Sequence, residues 1–391
     1  ARLERKIAFA NFLPAIELQY QDVSWDKQPK SQMLGPFSIP MHDQRMRDTV
    51  IQMQMPIFLP AAWYAYSMRS RGAEIGDIVE DYTRQMISLQ VTAGYFHVLA
   101  LEENESALRA QLAAAETLEA QVAAFREEGL VSTWQYEQSR LLVLSRRSAL
   151  SENDRASQQA RAGLLTAMGL SPLGDLTLSP GTPLHAPDST LDDLILEALL
   201  NNPRLHIADR QVAIAEDQVR LAITEFLPKL FGFVSRTTTT NSFIAYPDYF
   251  MFGASGVMSL FEGFANINEY RAARERKEGA FLAREEAVLT LMTEVLRAHL
   301  QLESAQEDRV VADQALVTAA SRLTEVEAQW AEGLIDASER LNATAERDVA
   351  QAHVTNARFQ EQVAIAVLRN LLGESAKTDS IHEEPQWKVA P

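Results

Sequence analysis

Cysteine is absent from the 391 residues, so neither disulfides nor thiolate chemistry take part, and thiol usage reports nothing about redox compartment. No run approaches the ~20 apolar residues that a membrane helix needs. That leaves a soluble protein or a transmembrane β-barrel, whose strands are short and only alternately apolar. Basic residues are in deficit, 36 Lys and Arg against 53 Asp and Glu, a net charge of −17. This argues against nucleic acid or anionic lipid as partner and fits an acidic solvated surface or a cation-attracting cavity. The seven histidines include no His-Glu-x-x-His or other ligand spacing, and no phosphate loop, dinucleotide fingerprint or nucleophile elbow appears. Carboxylate pairs such as Glu102-Glu103 are neighbours in sequence and diverge around a helix, as solvated faces do. No metal, cofactor or enzymatic activity is expected.

Proline and glycine are scarce over two long stretches. Leu282–Gly373 holds no proline, and between Gly279 and Gly373 its one glycine is Gly333. Leu316, Leu323 and Trp330 recur every seven residues, as a coiled-coil seam does. Around the middle, Gly333 suits the left-handed close of one helix, and Asp336 with Glu339 has the capping-box spacing of the next. The pattern predicts a long antiparallel helical hairpin with arms of roughly 60–75 Å. From Ala61 to Gly169 there is again no proline, and Gly129-Leu-Val-Ser132-Thr-Trp-Gln135 turns in the same way, with Ser132 and Gln135 as the capping pair.

The two stretches are matched landmarks. Gly129 to Gly333 and Gly169 to Gly373 are both shifts of 204, and Phe12-Leu-Pro14 returns as Phe226-Leu-Pro228, shifted by 214. An internal duplication follows, with a first repeat over 1–170, a Pro-rich linker over 171–188, a second repeat over 189–373 and a polar tail over 374–391. In the second repeat Ser189 or Thr190 opens one helix and Asn202-Pro203 another. The first repeat lacks both, which predicts that the natural chain begins upstream of residue 1; a signal peptide or lipid-anchor cysteine could have been lost with that part, and its absence proves nothing.

After each Phe-Leu-Pro the period changes from helix to strand. The β-hairpins are predicted over 15–58 and 229–262. In the first, Ile16, Leu18 and Tyr20 alternate with Glu17, Gln19 and Gln21, and Ile51, Met53 and Met55 alternate with Gln52 and Gln54, while Ser24–Met46 reads as a long loop. In the second, Phe231 and Phe233 alternate, and Phe250 and Phe252 share a parity with Met258. If the strands form a barrel, Ile16, Leu18, Tyr20, Ile51, Met53, Met55, Phe231, Phe233, Phe250 and Phe252 are the lipid-facing set; if not, they are ordinary core. Four strands per chain cannot close a filled barrel, and symmetry among identical chains is the cheapest source of partners.

The whole pattern resembles the outer-membrane efflux protein family, the TolC-like channels of Gram-negative bacteria. The likeness rests on Asn202-Pro203-Arg-Leu, Phe226-Leu-Pro228, Ser259-Leu-Phe-Glu-Gly263, the turns at Gly129 and Gly333, and the ends Met168-Gly-Leu and Leu372-Gly-Glu. It implies a mainly α fold with a transmembrane β-barrel part. Three chains would give a twelve-stranded barrel continued by an α-helical barrel, reaching from the outer membrane into the periplasm. A periplasmic adaptor protein and an inner-membrane transporter would be its partners, and passive export its function, with gating at the helix tips. It also implies a gate near Asp336, Glu339, Asn342, Trp134 and Gln135, and adaptor docking at the tips Gly129, Leu130, Val131, Ser132, Gly333, Leu334 and Ile335. Glu339 has the capping box as its plain alternative role, and the apolar tip residues have local packing of the turn. The chain departs from the family in carrying Asn342 where a second acid is expected, Trp134 and Gln135 where an Asp is common, and Phe58-Leu-Pro60-Ala at the exit of its first hairpin. A soluble trimeric coiled-coil scaffold without a pore is the alternative.

Overall fold

The computed structural model describes residues 1–28, 30–32, 38–179, 181–335 and 337–373. Its elements in chain order are α1 (Arg2–Ala10), β1 (Ala15–Ser24), β2 (Lys30–Gln32), β3 (Ser38–Pro40), β4 (Arg45–Phe58), α2 (Pro60–Glu127) and α3 (Thr133–Ala167). Then come α4 (Leu191–Asn201), α5 (Pro203–Thr224), β5 (Lys229–Thr239), β6 (Asp248–Val257), α6 (Ala265–Ala331) and α7 (Ala337–Leu371). They fall into two compact units, residues 1–79 with 204–287, and 80–203 with 288–391. Among the described residues no helix is long and apolar enough to cross a membrane.

The first unit is built on an antiparallel sheet in the order β1-β4-β5-β6. β1 and β5 each begin after a turn that ends on Pro14 or Pro228, because proline disfavours the helical conformation in the residue before it. Pro56 lies inside β4, where a ladder hydrogen bond is lost. The register shifts between Pro56 and Phe58, and a bulge is where a strand tolerates proline. The predicted loop between β1 and β4 is shorter than expected: β2 and β3 pair within it, and β4 starts at Arg45.

At the loop end of the sheet a polar knot ties the β4 side to the β5–β6 turn. Asn241 is almost fully buried. Its Oδ1 accepts from the backbone N–H groups of Asp43 and Phe243 at 3.3 Å each, and its Nδ2 lies 3.0 Å from His42 Nδ1. The Ser242 N–H and hydroxyl donate to the Asp43 carboxylate, the Arg47 N–H donates to Thr240 Oγ1 at 2.9 Å, and the Thr239 hydroxyl donates to Asp48. A buried amide with three partners is worth its desolvation cost only if the chain segments that supply them stay in place. In the helical part of the same unit, the buried carboxylate of Asp217 on α5 accepts from Ser67 and Arg71 of α2 at 2.6 and 3.0 Å and from Arg220 at 3.1 Å.

The strand-to-helix exits differ. β4 passes to α2 through Leu59-Pro60, with proline opening the helix. β6 passes to α6 through Gly263 and Phe264, both at positive φ, 61° and 68°. Phe264 is the one non-glycine residue in that conformation among the described residues, and its ring stacks edge-on against Phe261 at 5.4 Å.

The second unit contains both helical turns. Gly129 and Gly333 take φ of 76° and 73°. At the first, Leu130 N–H donates to Phe125 O and Gly129 N–H to Arg126 O; at the second, Leu334 N–H donates to Gln329 O and Gly333 N–H to Trp330 O. Both are Schellman closures. α3 then starts with the expected capping box, Gln135 N–H to Ser132 Oγ at 3.3 Å and Ser132 N–H to Gln135 Oε1 at 2.8 Å. The hairpin arms are unequal, 68 and 35 residues in the first and 67 and 35 in the second. The matched arms expected of the second hairpin are not found, because α6 begins directly after Phe264, well before Leu282.

Three apolar clusters hold this unit, the smallest of Ala312, Val354 and Ala357 with Leu316 beside them. Leu194 and Ala198 of α4 pack with Leu291, Val295 and Leu302 of α6 and Ile365, Leu368 and Leu372 near the end of α7. Thr190 caps α4, accepting from Asp193 N–H at 3.3 Å. Near the turns, Leu118 and Val122 of α2 pack with Leu341 of α7, with Val131, Tyr136 and Trp330 around them.

Candidate functional site

Two surfaces carry the functional expectation: the faces of the sheet and the tips of the helical hairpins.

In an antiparallel pair, residues directly opposite one another lie on the same face. Ile16 faces Met53, Leu18 faces Ile51, and Tyr20 faces Thr49. Met53 in turn faces Val234, and Val234 faces Phe252, while Ile51, Arg236 and Phe250 form the adjacent row. One face of the sheet is thus apolar over Ile16, Leu18, Tyr20, Ile51, Met53, Met55, Phe250 and Phe252, and these side chains are exposed in the single chain. The same face carries Arg236 in the row of Ile51 and Phe250 and, toward the loop end, Asp22, Arg45, Arg47 and Asp248, paired as Arg45–Asp22 at 2.7 Å and Arg236–Asp248 at 2.6 Å. Phe231 and Phe233 do not belong to it. They lie opposite Pro56 and Gln54, on the polar face, and Leu230 and Val234 take the apolar positions of β5. The reason is local: the ring of Phe233 lies against Gly253 on β6, so close that a Cβ there would stand 3.0 Å from it. An aromatic residue here covers a bare stretch of backbone.

The polar face repeats in rows: Gln54 with Ala15 and Phe233, then Glu17 with Gln52, Ser235 and Met251, then Gln19 with Val50, Thr237 and Tyr249, then Gln21 with Asp48 and Thr239. The two sheet edges, β1 and β6, are ten residues each and exposed along almost their whole length.

The structure brings the two hairpin tips together. Phe125 and Trp330 rings stand 6.1 Å apart, Arg340 donates to Gln121 at 3.1 Å, and the Arg126 guanidinium lies 4.7 Å over the Tyr136 ring. Leu130 and Leu334 are about 70 % exposed at 68 % and 69 %, as is Trp134 at 66 %. Val131 instead packs into the cluster around Leu118 and Val122, and Ile335 is half-buried. Gln135 is half-buried, and Ser132 and Asn342 are exposed. Asp336 lies outside the described residues.

Glu339 is exposed but not unopposed. Arg322 on α6 reaches it at 3.2 Å and reaches Glu346, two turns further along α7, more closely. Those two carboxylates, Glu346 first, push the Arg322 pKa upward, which keeps it charged. This partner was invisible in sequence because 17 residues and a turn separate the two side chains. Further along the same helix Asp348 is buried, with Arg146 of α3 at 3.2 Å and Arg347 at 3.0 Å. Neither contact has hydrogen-bond geometry to its oxygens. Burial pushes the Asp348 pKa up, against the pull of the two guanidiniums. Among the described residues no group of His, Asp and Glu could hold a metal ion.

The chain is similar to proteins of one kind. It is 22 % identical over 376 residues to outer membrane protein TolC of Vibrio cholerae, an alignment that covers 93 % of this chain and 86 % of the relative. Among solved structures it resembles the CmeC outer membrane channel of Campylobacter jejuni, with TM-score 0.80, 14 % identity and coverage of 95 % of this chain and 80 % of the other. It likewise resembles the outer membrane protein VceC of Vibrio cholerae, with TM-score 0.79, 16 % identity and coverage of 95 % and 90 %. The family model described as outer membrane efflux protein matches residues 1–170 and 194–374, nearly the whole of both halves. The chain therefore belongs to the outer membrane efflux protein family, non-enzymatic transport channels of the Gram-negative outer membrane that extend into the periplasm.

Proposed function

We propose that this chain is the exit duct of a tripartite export system, a passive outer-membrane channel assembled from three copies. The observation that carries the reading is the sheet: four strands, one apolar face, one polar face, and two long exposed edges of equal length. An exposed edge is an unmet set of N–H and C=O groups, and in a bilayer it must be paired. Joining β6 of one copy to β1 of the next closes twelve strands, with the apolar face to lipid and the polar face to water. The helical hairpins of the three copies form the periplasmic tunnel.

Energy comes from an inner-membrane transporter, reached through a periplasmic adaptor. Exposed Leu130 and Leu334 on turn tips, where solvent would favour polar residues, support docking of adaptor hairpins at Gly129–Ser132 and Gly333–Ile335. Opening is a separation of the tips, favoured when adaptor contacts are stronger in the open state. Glu339, Asn342, Trp134 and Gln135 line the closed entrance in this reading. The cargo is a small molecule, a metal ion or a secreted protein. A soluble pore-free scaffold is disfavoured by membership of the outer membrane efflux family.

The test is extraction. The protein should leave membranes only with detergent and run in detergent at three times the mass of one chain. A monomer that stays dispersed in plain buffer would overturn the reading.

A further inference from the structure

The charges of the sheet are sorted between its faces. All three arginines of the four strands stand on the apolar face, Arg45 and Arg47 near its loop end and Arg236 in the row of Ile51 and Phe250, and Asp22 and Asp248 pair with them. The polar face has carboxylates at Glu17 and Asp48 and one cation, Lys229 at the strand start, which is tied to Glu225 of the preceding turn at 2.8 Å. Among the described residues no cation or hydrogen-bond donor reaches the Glu17 carboxylate, and the side chains of its own row are Gln52, Ser235 and Met251. Asp48 accepts from the Thr239 hydroxyl, and no cation among the described residues pairs with it. Among the gate residues at the hairpin tips the balance is different. Glu339 shares Arg322 with Glu346, and Asn342 contributes no charge.

We infer that Glu17, seconded by Asp48, sets the charge selectivity of the channel, which places the main cation preference in the β-barrel and not at the helix tips. This inference rests on the channel reading above. In the trimer each row occurs three times, so Glu17 and Asp48 become two carboxylate rings about 13 Å apart along the strands, from four residues at ~3.3 Å each. Unpaired carboxylates lining a water-filled bore attract cations and exclude anions, and the effect falls off over the Debye length, ~30 Å at 0.01 M salt and ~3 Å at 1 M. The preference is therefore strong in dilute salt and weak in concentrated salt. The favoured cargo is cationic, inorganic or organic, with anionic compounds retarded.

The experiment is a reversal-potential measurement on the purified protein in planar bilayers under a potassium chloride gradient. E17Q should lower the potassium-to-chloride permeability ratio by roughly two- to threefold near 0.01 M salt and hardly at all near 1 M. Q52E, which adds a carboxylate to the same row, should raise it, and this variant decides the matter if E17Q fails to insert. E339Q should shift the ratio less than E17Q. Conducting E17Q channels with the wild-type ratio, an unchanged Q52E ratio, or an E339Q shift larger than that of E17Q would overturn the inference while leaving the channel reading intact. If wild-type protein produced no conductance, the channel reading and this inference would fail together.

Discussion

Apart from the short β2–β3 pair of the first, the two halves of the chain run through strand, strand, long helix and shorter helix in the same order, with helices of 68 and 35 residues in one and 67 and 35 in the other. They achieve the same faces by different means. In β1 and β4 the apolar residues of the central rows point one way, Val50 excepted, and almost every polar residue the other. In β5 and β6, Phe231, Phe233, Tyr249 and Met251 stand on the polar face, and the division is kept by Leu230, Val234, Phe250 and Phe252 opposite them. What marks the wet face in the second half is the row of Ser235, Thr237 and Thr239, not the position of the largest rings. Size and wetness are separate requirements, since a ring is also used to cover glycine backbone.

The sharpest way to break this comparison is a charge placed at equivalent rows of the two halves. Met53→Arg and Val234→Arg should each cost roughly 2–4 kcal/mol near mid-bilayer and abolish assembled trimer, read by heat-modifiable migration after membrane isolation. Phe233→Arg, one residue away from Val234, should lose less than half as much; equal damage at 233 and 234 would refute the assignment of faces.

The next difference is at the exits from the strands. The second half holds Phe264 at a φ of 68°, where the first half uses Leu59-Pro60. A left-handed non-glycine residue costs about 1–2 kcal/mol, so Phe264→Gly should stabilise the protein. The gain is reduced by the lost ring contact with Phe261 and by about 0.5–1 kcal/mol for the entropy of an extra glycine. A raised thermal midpoint is the expected result, and a lowered one would mean the ring contact dominates.

The tips offer a third comparison. Ser132→Ala removes the side-chain cap of α3 and should cost about 1 kcal/mol, seen as earlier local unfolding of that turn by hydrogen exchange. Protection at the Gly333 turn should change less. Equal loss at both turns would show that they unfold as one piece.

The smallest effect is the pH dependence that Asp348 contributes. Asp348 has its folded pKa raised above the ordinary carboxylate value by burial. A raised acid binds its proton more tightly when folded. Its contribution to stability is therefore fully present below the unfolded pKa and lost as pH rises through the folded one. Stability from this group should increase as pH falls from above the folded pKa toward 3.8. Asp348→Asn should flatten that slope in urea titrations while Asn153, a buried amide of the first hairpin, provides no matching slope.

Much of the fold could be read from residues alone because it is written in local chemistry. Gly129 and Gly333 took the left-handed conformation, Ser132 and Gln135 formed the reciprocal cap, and Pro203 opened its helix. The surfaces were harder. The alternation in β1 and β4 exposed their faces, but in β5 two phenylalanines outweighed three hydroxyl residues, and only the cross-strand register corrects the choice. Arg322 beside Glu339, Arg146 beside Asp348 and the row shared by Glu17 and Gln52 join residues distant in sequence, and no periodicity encodes such pairs. The short pairing of β2 with β3 was hidden by the prolines and glycine around it.

The buried Asn241 has a consequence at the other end of the strands. Strand side chains alternate strictly, so sliding β4 past β5 by one residue would turn its greasy side inward and its wet side outward. The partners of Asn241, together with the Arg47–Thr240 and Asp48–Thr239 links, hold those two strands at one setting. A single carboxamide among the outer loops thus acts as the indexing pin that decides which chemistry a passing solute meets.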